Sequence, residues 1–374
     1  PPRSTLFPYT TLFRSGVINY LIGCNFTGKG RTDLLIGSEN GYITLLENTG
    51  RLSPEGVPLF ERPIYLLQEN PPIKADVLAV PAVSHSSNNA INIVSGTARG
   101  YFDFFSPVKD FQGRMHWHFP RIPQILPLDL KKGSIQGPSE IGWGYTCPTL
   151  FDWNDDGVKD LIFSDINGEH QVCLNEGTDN RPDFAPPIKL LDNITGLPLT
   201  TVWRVRPTLL KIKEKVYYYC LDDNATLAQY ERVGDYALEK RRNIQTINGD
   251  DITFTMRYGG GQGRDKLQLF DWDQRGVYDL LVGLPGGHNF RQLKGNENYT
   301  HFPHATVVLF KNRGDNVNPI FDLPVYLTHK LIQGPLAFGQ HSCSPEAFIL
   351  ENKIFLLVGC EDGHIYQFSR VEFV

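Results

Sequence analysis

The stretch Asp152-Trp-Asn-Asp-Asp-Gly-Val-Lys-Asp160, continued by Leu161-Ile-Phe-Ser-Asp-Ile-Asn-Gly168 and closed by Leu174-Asn-Glu-Gly177, decides how this chain folds. Asp152, Asn154, Asp156 and Asp160 place side-chain oxygens at alternating positions of a tight loop, Val158 completes the set, and Gly157 stands where the backbone must turn. Such a loop can wrap one hard cation from several sides, so it is expected to hold Ca2+. The apolar run after Asp160 is too short for a helix, and Asn167-Gly168 is a strong hairpin signal. The unit reads calcium loop, strand, turn, strand.

The unit recurs. Asp271-Trp-Asp-Gln-Arg-Gly-Val-Tyr-Asp279 leads into Leu280-Leu-Val-Gly283, and Asn25-Phe-Thr-Gly-Lys-Gly-Arg-Thr-Asp33 leads into Leu34-Leu-Ile-Gly37. Pro58-Leu-Phe60, Pro182-Asp-Phe184 and Pro319-Ile-Phe321 follow the three strong copies at matching places. Weaker copies keep the strand and turn without the loop, at Asn92-Ile-Val-Ser-Gly96, Val216-Tyr-Tyr-Tyr-Cys220 and Phe355-Leu-Leu-Val-Gly359. Six units at a spacing of about sixty residues, each with about four short strands, suit propeller blades better than solenoid coils.

On these residues the chain resembles the FG-GAP or VCBS-repeat β-propellers, whose blades carry a D-x-[DN]-x-D-G-x-x-D-L loop. The resemblance runs from Gly16 to Val374 and implies an all-β fold, a β-propeller of four-stranded blades with six visible and seven expected in the complete protein. Thr5-Leu-Phe-Pro-Tyr-Thr-Thr-Leu-Phe-Arg-Ser15 looks like a translated sequencing adapter, so residues 1–15 are set apart from the fold and the natural start is expected upstream. The rest is expected to form one domain.

With 35 Gly, 26 Pro and no long apolar run, the chain reads as a turn-rich globular protein with no membrane insertion. A net charge of −5 gives no basic footprint for nucleic acid. A monomer that is secreted, periplasmic or displayed on a bacterial surface is expected. The six cysteines include no C-x-x-C pair and read as buried free thiols. Cys147 and Cys343 precede inner strands, and a thiolate-histidine zinc site with His341 is a secondary expectation.

Charge separates the three metal loops. The Asp152 loop keeps its carboxylates, whereas Arg275 occupies the central position of the Asp271 loop and Lys29 that of the Asn25 loop. There a side-chain cation is expected to pair with the loop acids in place of a metal.

Chemistry is expected on the opposite face, where segments entering the innermost strands converge. These are Glu140-Ile-Gly-Trp-Gly-Tyr145, Trp203-Arg-Val-Arg206, Gly259-Gly-Gly-Gln-Gly-Arg264-Asp265 and Gly339-Gln-His341. Two insertions are expected on the same face: the one containing Arg114-Met-His-Trp-His118, and the one from Pro285 to His304 with His288 and Arg291. Arginines among aromatic rings suit an acidic polysaccharide, with guanidinium groups meeting carboxylates and rings meeting sugars. Substrate binding is assigned to Trp143, Trp203, Arg264, His288 and Arg291.

Likeness in general appearance to propeller polysaccharide lyases of the ulvan-lyase type implies β-elimination at a uronate. Arg204 or Arg206 would then neutralise the carboxylate, with His341 and Tyr145 as base and acid. Arg206 reads equally as an ion pair locking neighbouring blades, and His341 as a hydrogen-bonded loop residue. The alternative function is a non-catalytic, calcium-stabilised carbohydrate- or protein-binding module. Hydrolysis by a carboxylate pair would fall to Glu140 and Asp265.

Overall fold

The computed structural model describes residues 19–38, 43–66, 75, 78–85, 91–98, 100, 102–109, 115–118, 144–256 and 263–374. The adapter-like segment, Arg114, Glu140 and Trp143 lie outside them.

The described residues contain strands, turns and one 3-10 turn at Arg370–Glu372. Two compact units divide the chain. The smaller holds the first repeat, a four-stranded sheet of Asn19–Cys24, Asp33–Ser38, Ile43–Leu46 and Ile64–Tyr65, beside the hairpin Asn48–Leu52 with Pro58–Phe60.

The larger unit carries the other five repeats as five antiparallel sheets. Blade A runs outward through Val80–His85, Ile91–Gly96, Phe102–Lys109 and Met115–His118. Blade B comprises Cys147–Phe151, Asp160–Ser164, His170–Cys173 and Ile188–Lys189. Blade C comprises Thr208–Ile212, Lys215–Leu221, Leu227–Arg232 and Ala237–Asn243, with Leu191–Asp192 parallel on its outer edge. Blade D comprises Lys266–Phe270, Asp279–Leu284, Thr306–Phe310 and Val325–Tyr326. Blade E has three strands, Cys343–Leu350, Lys353–Cys360 and Ile365–Ser369.

The strand alternation explains why these sheets stack radially. Successive side chains of a strand face opposite ways, so a strand apolar at every position must be covered on both faces. In blade B, Leu161 and Phe163 pack with Val94 and Phe102 of A, while Ile162 packs with Leu209 and Tyr218 of C. Corresponding cores fill the C–D and D–E seams. The fifth core joins Phe348 and Leu357 of E to Ile91, Ile93 and Phe105 of A, and the innermost strands of E and A touch. Within the larger unit the five sheets thus pack face to face in succession from A to E and back to A. Each copy was legible, but the number per ring depends on which distant faces meet.

Glycines make the seams tight. A methyl group built on Gly96, Gly283 or Gly359, each the last or next-to-last residue of a second strand, would lie 2.1, 2.1 and 2.3 Å from the carbonyl oxygens of Thr146, Cys343 and Ala79 in the next blade. Gly359→Ala should therefore open the E–A seam and cost about 1–3 kcal/mol, as overpacked sites do, in a urea titration. An unchanged midpoint would mean the seam is not closed here.

Between the blades, tryptophans from the loops act as latches. Trp153 is covered by Arg232, whose guanidinium carbon is 5.1 Å from the ring centre, and Trp272 by Arg370 at 4.8 Å.

Candidate functional site

The segments entering the inner strands of A, B and C are hydrogen-bonded to residues just beyond the second strand of the preceding blade. The amide of Tyr145 donates to Ala98 O at 2.9 Å, that of Arg204 to Asp165 O at 3.2 Å, and that of Leu78 to Glu361 O at 2.8 Å. Tyr145 and Arg204 adopt φ of 47° and 62°, a left-handed backbone uncommon for residues with a Cβ. The strained backbone aims their side chains at one place.

That place is a pocket lined from all five blades, with Leu78 and Ala98 from A, Tyr145 from B, Arg204 from C, Arg264 and Lys266 from D, and His341 from E. It encloses about 310 Å³ out to its open mouth, of which about 20 Å³ can hold the centre of a water molecule.

The Arg204 guanidinium carbon lies 3.4 Å from the Trp203 ring centre and 4.3 Å from that of Tyr145, and the two rings meet edge to face at 5.8 Å. The cation is thus held by π-faces as well as by backbone geometry. His341 is exposed, and its Nδ1 lies 2.9 Å from Glu361 Oε2. Burial would raise the Glu361 pKa, but hydrogen bonds from the His341 ring and the amides of His341 and Gln340 hold it down to about 2. An ionised carboxylate only accepts, so Nδ1 carries the proton and Nε2 of the neutral ring keeps its lone pair.

Lys266 and Glu361 were not singled out in the sequence. Lys266 opens the apolar run Lys-Leu-Gln-Leu-Phe and reads as a solvated strand end, yet it is 4% exposed. Glu361 had a readable signal, because Asp165, Asp222 and Glu361 each stand one residue past a second strand, beside the next entering segment.

Several expected site residues lie elsewhere. Arg206 does not line the pocket. It is fully buried two residues further along blade C, where Nη2 pairs with Glu346 at 2.5 Å, Nη1 donates to Pro345 O at 2.6 Å and Nε donates to Pro148 O at 2.9 Å. Glu346 also accepts the Val83 amide at 2.9 Å, so the pair ties A, B, C and E together. His288 is buried against Phe254 and Phe290, its Nε2 3.7 Å from Asp265 Oδ1, and burial pushes its pKa down to about 3. Asp265 is likewise buried and shielded from the pocket, its pKa pushed up to about 7 by burial. Arg291 is exposed and staples its own loop through Nε to Tyr299 O at 2.7 Å. The Pro285–His304 insertion still reaches the pocket rim, since Gly286 N donates to Gln340 O at 2.8 Å.

The loops differ as their charges do. In the Asp271 loop, Arg275 Nη2 lies 2.8 Å from Asp279 and its Nε 3.7 Å from Asp273, while Asp271 accepts the amides of Arg275 and Gly276. In the first loop Lys29 pairs with Glu47 instead, and Asp33 accepts from Thr27 and the Asn48 amide. In the Asp152 loop, Asp152 accepts the amides of Asp156 and Gly157, and Asp160 accepts those of Trp153, Asn154 and Asn175. Asp156 accepts the Val158 amide and the Asn154 side-chain amide. Lysine and arginine pair with Asp155 here, and among the described residues no side-chain cation pairs with Asp152, Asp156 or Asp160.

All six cysteines are free. Burial pushes the Cys343 thiol up to about 12, and it donates to Thr306 O at 3.2 Å. Among the described residues, no three His, Cys, Asp or Glu side chains are grouped as a metal set.

No protein-family model and no curated protein matches this chain. Its fold is similar to that of an exo-1,5-α-L-arabinanase from a bovine ruminal metagenomic library, at 9% identity and TM-score 0.43, over 80% of this chain and 95% of that one. It is also similar to the α-L-arabinofuranosidase of Podospora anserina in complex with cellotriose, at 14% identity and TM-score 0.46, over 80% and 95% of the two chains. A third is the Cellvibrio cellulosa α-L-arabinanase complexed with arabinohexaose, at 13% and 0.46, over 79% and 91%. At such identities the likeness carries no argument about activity.

Proposed function

We propose that the chain is a carbohydrate-active propeller that cleaves an acidic polysaccharide by β-elimination at a uronate. One observation carries this reading: Arg204, Arg264, Tyr145 and a His341 oriented by Glu361 line a single pocket. The arginines neutralise the uronate carboxylate, which makes the proton beside it acidic. His341 Nε2 takes that proton, the released electron pair forms the new carbon–carbon double bond, and the bond to the β-oxygen of the glycosidic link breaks. Tyr145 gives its hydroxyl proton to the leaving oxygen and recovers one from His341. Hydrolysis by paired carboxylates has less support, because Glu361 is hydrogen-bonded to His341, Asp265 is buried, and the described lining residues include no acid.

The test is incubation with a panel of uronate-containing polymers while the ultraviolet absorbance of unsaturated uronate is followed. A rising signal supports elimination. Retardation of the protein on the same polymers with no signal would reduce the site to a binding module.

Calcium at the Asp152 loop belongs to the same proposal. Its donor oxygens suit a hard cation, and its acids lack the cation that Arg275 supplies in blade D. Asp152, Asn154, Asp156 and Asp160 would supply side-chain oxygens, and Val158 its carbonyl. Added calcium should raise the melting temperature of the wild type, and Asp156→Ala should remove that response. Identical melting with calcium and with chelator would remove the metal from the proposal.

A further inference from the structure

We infer that Cys343 and Cys360 are a redox-dependent brace: in an oxidising compartment they close a disulfide that ties the strand entered through His341 to the strand that leads to Glu361. The two residues face each other in the antiparallel pair of Cys343–Leu350 with Lys353–Cys360. Residues directly opposite one another project from the same face of a sheet, and both thiols lie in the core between blades D and E. The Cys360 amide donates to His364 O at 2.9 Å, across the other edge of its strand, and its carbonyl accepts the amides of Ala79 and Gly363. With that amide spent, Cys343 and Cys360 form the non-hydrogen-bonded kind of cross-strand pair, whose Cα atoms stand about 4.5 Å apart with the side chains closer. A disulfide requires Cα atoms roughly 4.4–6.8 Å apart, a condition this pair meets.

The other cysteines have no such neighbour. Across their strand pairs Cys24 faces Asp33, Cys147 faces Ser164, Cys173 faces Leu161 and Cys220 faces Ala228. The structure holds the reduced form, in which all six thiols are free.

Position gives the pair its consequence. Cys343 follows His341 by two residues, and Cys360 immediately precedes Glu361. The Glu361 carboxylate accepts the amides of Gln340 and His341 at 2.9 and 2.6 Å and lies 2.9 Å from the His341 ring. The disulfide adds a covalent tie directly behind these contacts. Closure is a two-electron oxidation by thiol–disulfide exchange. One cysteine attacks a small-molecule or protein disulfide, and the second then displaces the mixed disulfide. The oxidant's own S–S bond breaks, and it leaves as two thiols that carry away the two electrons and two protons. Burial raises the pKa of both thiols once the D–E seam is packed, so the exchange belongs to folding, while the hairpin is still open to solvent.

The test refolds the full chain in oxidised or reduced glutathione, then alkylates it in denaturant and maps its peptides by mass spectrometry. Oxidised refolding should leave four of the six cysteines open to alkylation and join Cys343 to Cys360. The oxidised wild type should melt about 5 °C above the reduced, as expected for closing a loop of about seventeen residues in a chain of this size. Cys360→Ala should melt alike in both buffers. Six alkylated cysteines after oxidised refolding, or a bond joining any other two, overturns the inference even if the variant fails to fold. Equal melting of the oxidised and reduced wild type overturns the brace. None of these outcomes depends on what the pocket binds.

Discussion

Arg206→Met is expected to lower the free energy of unfolding by about 3–5 kcal/mol, the cost of leaving one member of a buried ion pair uncompensated. The guanidinium, 1% exposed, reaches blades B and E from blade C, and Glu346 reaches A. Removing Arg206 strands the Glu346 carboxylate and also frees the carbonyls of Pro148 and Pro345. The double variant Arg206→Met with Glu346→Gln should recover part of the loss, because the stranded charge goes with it. Denaturant titrations of the two single variants and the double variant read this coupling. If Arg206→Met unfolds like wild type but loses turnover, the residue belongs to the substrate site after all.

His341→Ala is expected to reduce elimination by roughly a hundred- to ten-thousandfold, the usual contribution of a positioned general base, with little change in stability because the ring is exposed. Glu361→Gln should cost less and reveal itself differently. Its amide can donate to Nδ1 and so place the proton on Nε2, where the lone pair is needed. The turnover number should therefore fall while the Michaelis constant stays close to wild type. Glu361 also bears on acid stability. Its folded pKa is held below the usual glutamate value, so its contribution is present above about 4.5 and is lost as pH falls towards about 2. Equal turnover by His341→Ala and wild type would remove the histidine from the chemistry.

Local order was legible in this sequence and closure was not. The run Asp160-Leu-Ile-Phe-Ser164 announced a strand, and Asn167-Gly168 its turn, because both signals lie within a few residues. The pairing of Arg275 with its loop acids was readable from charge alone, and the structure shows it with Asp279 and Asp273. Lys29 showed the limit of that argument, since Glu47, between the strands Ile43–Leu46 and Asn48–Leu52, wins the lysine. Tyr145, Arg204, Arg264 and His341 could be gathered in advance because every one precedes an inner strand. Arg206 belongs to the same segment as Arg204, yet two residues along the chain move it from the pocket to the interior. His288 and Arg291 looked accessible because they sit in a long loop, but apolar packing claimed the first and a local carbonyl the second.

The closing seam of the ring carries a consequence for how the protein would fail on warming. Glu361 has two attachments: its main-chain oxygen receives the Leu78 amide that joins E to A, and its side chain fixes His341. Blade E is the three-stranded sheet, and Glu361 shares its joint to A with the carbonyls of Cys360 and Gly363, so one residue serves both the edge of the circle and the aim of the histidine. Breathing at that joint would turn the imidazole away while the other four seams stay packed. Heat inactivation should then run ahead of loss of circular dichroism, and a crosslink across the joint should bring the two temperatures together.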